Sequence, residues 1–202
     1  MLRNALKSIV LALLILLSLI ACSSVTPAGL IAASRLDPLD SDANQIAIAV
    51  GVPNGLQLSD GDAQFQISFQ SAAQAIVQTV PLRIRYATST GPAPDDESQT
   101  VYVADFSPEN AAIITSAQSR IKALKAAGVD GKGSISISVV GGCVASKPPP
   151  ELPVSTWLRT KPDRAFVRLT RLRNMLHHLP ASQSQEFMDN LRVCPPTTGS
   201  TT

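Results

Sequence analysis

Histidine, cysteine and aromatic residues are scarce in this 202-residue chain, which holds two histidines, three cysteines, one tryptophan, two tyrosines and five phenylalanines. His177 and His178 are adjacent. Neighbouring residues on a helix point roughly 100° apart, so the two imidazoles do not share one metal ion readily, and no H-E-x-x-H pattern is present. A helix-surface position near a C-terminus, where a cationic imidazole is favourable, is the simpler expectation for the pair. No serine stands in a G-x-S-x-G turn, and no glycine-rich stretch runs into G-K-[ST], which removes the hydrolase elbow and the phosphate loop. Aromatics make up 4% of the chain against 45% hydrophobic residues, so the core must be aliphatic. A sustained apolar run occurs once, from Ile9 to Ala21. It is about 13 residues long, where a membrane span needs about 20.

That run is the informative part of the N-terminus. Arg3 and Lys7 precede it without an acid, Ile9 to Leu17 is wholly apolar, and Leu19-Ile20-Ala21-Cys22 closes it. The order charged, apolar, small is that of a secretory signal. The closing tetrapeptide resembles the lipobox of bacterial lipoproteins, and the resemblance covers the signal region alone. It implies that the Cys22 thiol becomes a thioether to diacylglycerol, that cleavage falls just before Cys22, and that the new amine is acylated. Two or more chains hold a protein stably at a membrane surface, since each buried methylene contributes about 0.8 kcal/mol. Ser23, where some lipoproteins carry Asp, resembles the outer-membrane sorting signal. The resemblance thus implies a lipid-anchored protein on the periplasmic side, with residues 1–21 as signal peptide.

Residues 22–44 read as a tether rich in Ser, Thr, Pro, Ala and Asp, within which Leu30, Ile31, Leu36 and Leu39 are apolar enough to pack. Residues 45–194 read as one domain, and 195–202 as a disordered polar tail. Arg3 and Lys7 account for the excess of 17 basic over 15 acidic side chains, so the mature chain is neutral. Its halves are not. Residues 22–151 carry eight basic and twelve acidic side chains, and residues 152–202 carry seven basic and three acidic. A neutral total argues against a nucleic-acid binder, which needs a large positive field. With Cys22 lipidated, Cys143 and Cys194 remain as an even pair in an oxidising compartment, where a disulfide is expected. Its loop of about 52 residues corresponds to roughly 4 kcal/mol in the chain-entropy picture.

Period-two alternation predicts strands at Gln45–Val52, Phe65–Phe69, Val80–Tyr86, Gln99–Phe106, Ile135–Val139 and Val154–Thr160. Ser107, Pro108 and Glu109 open a helix that Gly128 closes, with Ile113 or Ile114, Ala117, Ile121 and Leu124 at helical spacing. Residues 163–179 admit either a hairpin strand followed by a short helix from Arg171 to Leu179, or one continuous helix; the hairpin is favoured. Ser182 with Gln185 resembles a capping box for a last helix to Leu191. The sum is an α+β fold: a mostly antiparallel β-sandwich-like domain with one inserted helix and short C-terminal helices.

Asp60 and Asp62 flank Gly61 in what reads as a turn lacking the other acids of a calcium loop. Asp95-Asp96-Glu97 reads as a solvated loop. The cluster Arg159, Lys161, Arg164, Arg168, Arg171 and Arg173 stands out, because guanidinium groups make paired contacts with carboxylate and phosphate. Arg164, Arg168, Arg171 and Arg173 are the candidates for contact with an anionic partner, either an envelope protein or an anionic polymer. No residue pattern suggests a cofactor, a metal or a catalytic group. The expectation is a non-enzymatic binding or assembly module, with an envelope-polymer hydrolase as the alternative.

Overall fold

The computed structural model describes residues 36–87, 91–95, 97–145 and 151–195. Cys22, the signal segment, most of the tether and residues 196–202 lie outside them. The strands are β1 (Ala47–Pro53), β2 (Leu56–Gln57), β3 (Ala63–Ser71), β4 (Ala75–Pro81), β5 (Arg83–Ala87), β6 (Gln99–Asp105), β7 (Gly131–Val139), β8 (Cys143–Val144), β9 (Val154–Arg159), β10 (Val167–Leu172) and β11 (Arg192–Val193). Helix α1 (Pro108–Ala126) lies between β6 and β7, and α2 (Ala181–Asp189) precedes β11. The strands form a five-stranded sheet in the order β10-β9-β1-β6-β5, a three-stranded sheet β4-β3-β7, and a small sheet β11-β8-β2. Every pairing is antiparallel except β8 with β11. This is the α+β, sandwich-like arrangement that the alternation predicts.

The two large sheets and α1 enclose one core. Ile48, Val50, Val52 and Leu158 come from the five-stranded sheet, Phe65, Ile67, Phe69 and Val80 from the other, and Ala111, Ile114, Ala117 and Ile121 from the helix. Each large apolar side chain so buried contributes about 1.5–3 kcal/mol. Phe65 and Phe106 meet edge to face, with centroids 5.1 Å apart, in a core otherwise almost wholly aliphatic. β1 is buried along its whole length. Its branched residues face the core, while Ala49 and Gly51 face the other side and leave room there for a bulky neighbour.

The signals at the ends of α1 act as expected. The Ser107 hydroxyl accepts from the Asn110 amide at 3.2 Å, and Gly128 ends the helix at φ +75°. Hydrogen bonds from its own backbone N–H and from Ser107 hold the Glu109 carboxyl below the usual range. Ile114, not Ile113, is the inward member of that pair. Gln118 sits in the buried stripe and donates to the carbonyls of Pro38 at 2.7 Å and Ser41 at 3.0 Å. Leu36 and Ala43 are buried, and the Leu36 carbonyl accepts from Thr160 at 2.9 Å. Residues 36–44 therefore belong to the domain, and the tether is shorter than the composition of 22–44 suggests.

Three further boundaries differ from the sequence reading. The alternation Val80–Tyr86 is not one strand: Leu82 turns the chain between sheets, so β4 ends one and β5 starts the other. Residues 163–179 form no long helix. β10 runs to Leu172, past the expected helix start at Arg171, and only a 3-10 turn at Met175–His178 follows. Asn174 caps that turn with its side-chain oxygen, which accepts from Leu176. Helix α2 begins at Ala181 after Pro180 with no side-chain cap, so Ser182 is inside it rather than at its cap. Cys143 and Cys194 form the expected disulfide, with their Cα atoms 4.8 Å apart. It reinforces the two-residue pairing of β8 with β11, which is too short to hold alone.

Candidate functional site

The outward face of the five-stranded sheet carries the densest polar cluster. Along β9, Ser155, Trp157 and Arg159 point away from the core, because Val154 and Leu158 point into it. Trp157 lies opposite Ala49 of β1. A Cβ on Gly51 would meet the indole at 3.2 Å, so glycine there lets the ring lie close over β1. Ala49, Val101, Trp157 and Phe166 form a small apolar cluster separate from the main core.

β10 supplies the arginines. Arg168 and Arg171 are three apart, and a regular strand would send them to opposite faces. A bulge between Arg168 and Thr170 adds one residue, so Arg168 pairs with Trp157 and Arg171 with Ser155. Both guanidinium groups thereby reach the outward face. Arg168 lies over the Trp157 ring at 5.5 Å from its centroid, and Arg159 lies over Phe166 at 4.7 Å.

Between the arginines sits Asp95, whose side chain is 3% exposed. It accepts from Arg168, from Arg171 at 3.3 Å and from the Ser155 hydroxyl at 2.5 Å. The sequence reading placed Asp95 in a solvated loop. The structure corrects this: burial of a carboxylate is tolerated because two cations and a hydroxyl satisfy it. The arginine side chains remain about half exposed, at 47% and 59%. One carboxylate balances two guanidinium groups, and Arg159 adds a third cation. The face is positive, and each arginine has five N–H donors, more than Asp95 can occupy. At its inner side the Gln99 side-chain oxygen is buried without a hydrogen-bond partner among the described residues, as is Nε of Arg159.

The other candidates lie apart from this cluster. Arg164 lies 3.8 Å from Asp163, with both side chains about three-quarters exposed. Arg173 is exposed and makes no ion pair among the described residues. His177 and His178 are on the exposed 3-10 turn, where Nε2 of His177 is 3.4 Å from the Asn174 amide nitrogen. The Asp60–Asp62 segment is a turn. Asp60 accepts from the Ile84 amide at 2.7 Å, while Asp62 accepts from the Ser59 amide at 2.8 Å and, through its two oxygens, from the Arg192 guanidinium at 2.8 and 2.9 Å. Asp105 is held by Arg83 at 2.9 Å and Arg85 at 2.7 Å. Among the described residues, no three His, Cys, Asp or Glu side chains converge as a metal site. A cleft of about 370 Å³ lies between α1, residues 37–39 and β7; it is lined mainly by Leu39, Ile67, Phe69, Ile121 and Ile135, with Asp37 and Lys125 its charged members.

Asp95, Ser155 and Trp157 escaped the sequence reading as site residues. A signal did exist for two of them: the chain's one tryptophan stands at strand spacing from Ser155 and Arg159. Asp95 had none, because nothing local tells which acid of Asp95-Asp96-Glu97 turns inward. Comparison with family models, with curated proteins and with solved structures finds no match. No helix among the described residues is long and apolar enough to cross a membrane.

Proposed function

We propose that this chain is a lipid-anchored protein of a bacterial envelope whose domain binds an anionic partner and catalyses no reaction. The observation that carries the binding reading is the outward-facing pair Arg168 and Arg171, fixed in place by buried Asp95 yet half exposed. A preset pair of guanidinium groups beside an indole suits phosphate or carboxylate groups on an envelope protein or polymer. The anchoring reading rests on Leu19-Ile20-Ala21-Cys22. Ser23 favours the outer membrane over the inner. The non-enzymatic reading is supported by the use of Asp62, Asp95 and Asp105 in ion pairs rather than as free acids.

Two experiments test this. Mass spectrometry of the mature N-terminus should find Cys22 as an acylated thioether, and an unmodified Met1 or a bare Cys22 rejects the anchor. For binding, the intact protein is compared with the triple variant Asp95→Asn, Arg168→Gln, Arg171→Gln on polyphosphate-coated beads, polyglutamate-coated beads and isolated envelopes. The triple change removes the charges together and leaves no buried ion unpaired. Salt-sensitive retention by the parent and at least a tenfold loss in the variant are expected; equal retention rejects the arginine face as the binding surface.

A further inference from the structure

The edges of the two large sheets are protected to different degrees. In the five-stranded sheet both edge strands, β10 and β5, carry a bulge and two arginines. Such features discourage another strand from pairing. In the three-stranded sheet, α1 packs against the face of edge strand β4 that carries Ile76 and Val80, and the Asn110 side-chain amide donates to the carbonyl of Pro81, the proline that ends β4, at 2.9 Å. The remaining edge, β7, has neither device. It pairs nine residues with β3 without a register shift, and no described strand pairs with its other side. It has no proline and one charge, Lys132. Residues 131–134 are exposed, and Ile135 and Ile137 are only half-buried.

The sequence of that edge reads nearly the same in both directions: Gly133-Ser134-Ile135-Ser136-Ile137-Ser138-Val139. An antiparallel copy centred on Ser136 sets Ile135 against Ile137, Ser134 against Ser138, and Gly133 against Val139. Both isoleucines fall on the face that also lines the cleft beside α1, so pairing removes their exposed parts from water. On the other face hydroxyls meet hydroxyls, as Ser68 and Ser134 already do within the sheet at 2.7 Å. Lys132 falls opposite Val140, which is 38% exposed, and the two lysines stay far apart. No like charges are opposed anywhere in this register.

We propose that β7 is a homodimerisation edge, joining two copies of this chain into one continuous six-stranded sheet through antiparallel β7–β7 pairing about a two-fold axis at Ser136. A two-fold interface requires a self-complementary surface, and this strand is one. The proposal is independent of the arginine face. It leaves that face open, since the two lie on different sheets.

The test is register-specific cross-linking of the full chain under mild oxidation. At the axis, facing Cα atoms lie about 4.5–5.5 Å apart, within disulfide reach. Ser136→Cys should therefore give a covalent dimer on a non-reducing gel. In Ser134→Cys and Ser138→Cys the symmetry mates are offset by about 13 Å along the strands and should remain monomeric. Sedimentation of the parent should show a concentration-dependent dimer. Ser136→Lys, which opposes two ammonium groups on the exposed face, should raise its dissociation constant roughly fivefold. A parent that stays monomeric at all concentrations overturns the proposal. So does cross-linking at Ser134 or Ser138 equal to that at Ser136, which would mean another register or random collision.

Discussion

The outward faces of the two large sheets share a secondary structure and almost nothing else. On the five-stranded sheet the face holds Ser155, Trp157, Arg159, Arg168 and Arg171 around one buried carboxylate. On the three-stranded sheet it holds Gln64, Gln66, Ser68 and Gln70 beside Ser134, Ser136 and Ser138, linked by neutral contacts such as Gln66 with Thr79 at 3.0 Å. The first face is interdependent, because Arg168, Arg171 and Ser155 all meet the one buried carboxylate of Asp95. The second is a set of nearly separable pairs. A sheet that must present charge has to bury part of its neutralising apparatus, whereas one that presents hydroxyls and amides leaves them to water.

That contrast can be broken most sharply at Trp157. The Trp157→Ala substitution empties a site that is 3% exposed and should cost about 3 kcal/mol of stability, read by denaturant unfolding. A loss below about 1 kcal/mol would mean that the outward cluster is not packed. Next in size is the pair Arg168→Ala with Arg171→Ala. It leaves Asp95 buried without a cation, an arrangement that costs about 3–5 kcal/mol when fully buried; discounted for the half-exposed arginines, about 2 kcal/mol is expected. Adding Asp95→Asn should restore more than half of that loss, and no restoration would deny the coupling. Gly51→Ala should cost about 1 kcal/mol, since its Cβ must displace the indole edge by a few tenths of an ångström. Smallest is Ser68→Ala with Ser134→Ala on the neutral face. This double change should stay within about 0.5 kcal/mol by thermal unfolding. A larger effect would make the second face as interdependent as the first.

Much of the fold was legible where local physics is decisive. β3 alternates Phe65, Ile67 and Phe69 with glutamines and serine, and its burial follows that alternation. α1 announces both of its ends. What stayed hidden depends on contacts between distant residues. Beside Leu82, Pro81 suits an edge or a strand start, but the alternation continues through both residues and hides the corner between sheets. The bulge that puts Arg168 and Arg171 on one face is a property of pairing with β9, not of β10 alone, so the arginines were recognisable as a group but not as a pair. Arg164 and Arg173 looked equivalent to them for the same reason. The inward turn of Asp95 is set by cations some 70 residues later in the chain, as the 73-residue separation from Arg168 makes plain.

The link between Cys143 and Cys194 encloses β9, β10 and the helix that follows them within a single covalent ring. Arg159, Arg168 and Arg171 therefore sit on a segment whose two ends are clamped together. Reduction would leave β9 and β10 held by pairing with β1 and by Leu152, Val154 and Leu158 in the core, while the two-residue pairing of β8 with β11 would lose its covalent support.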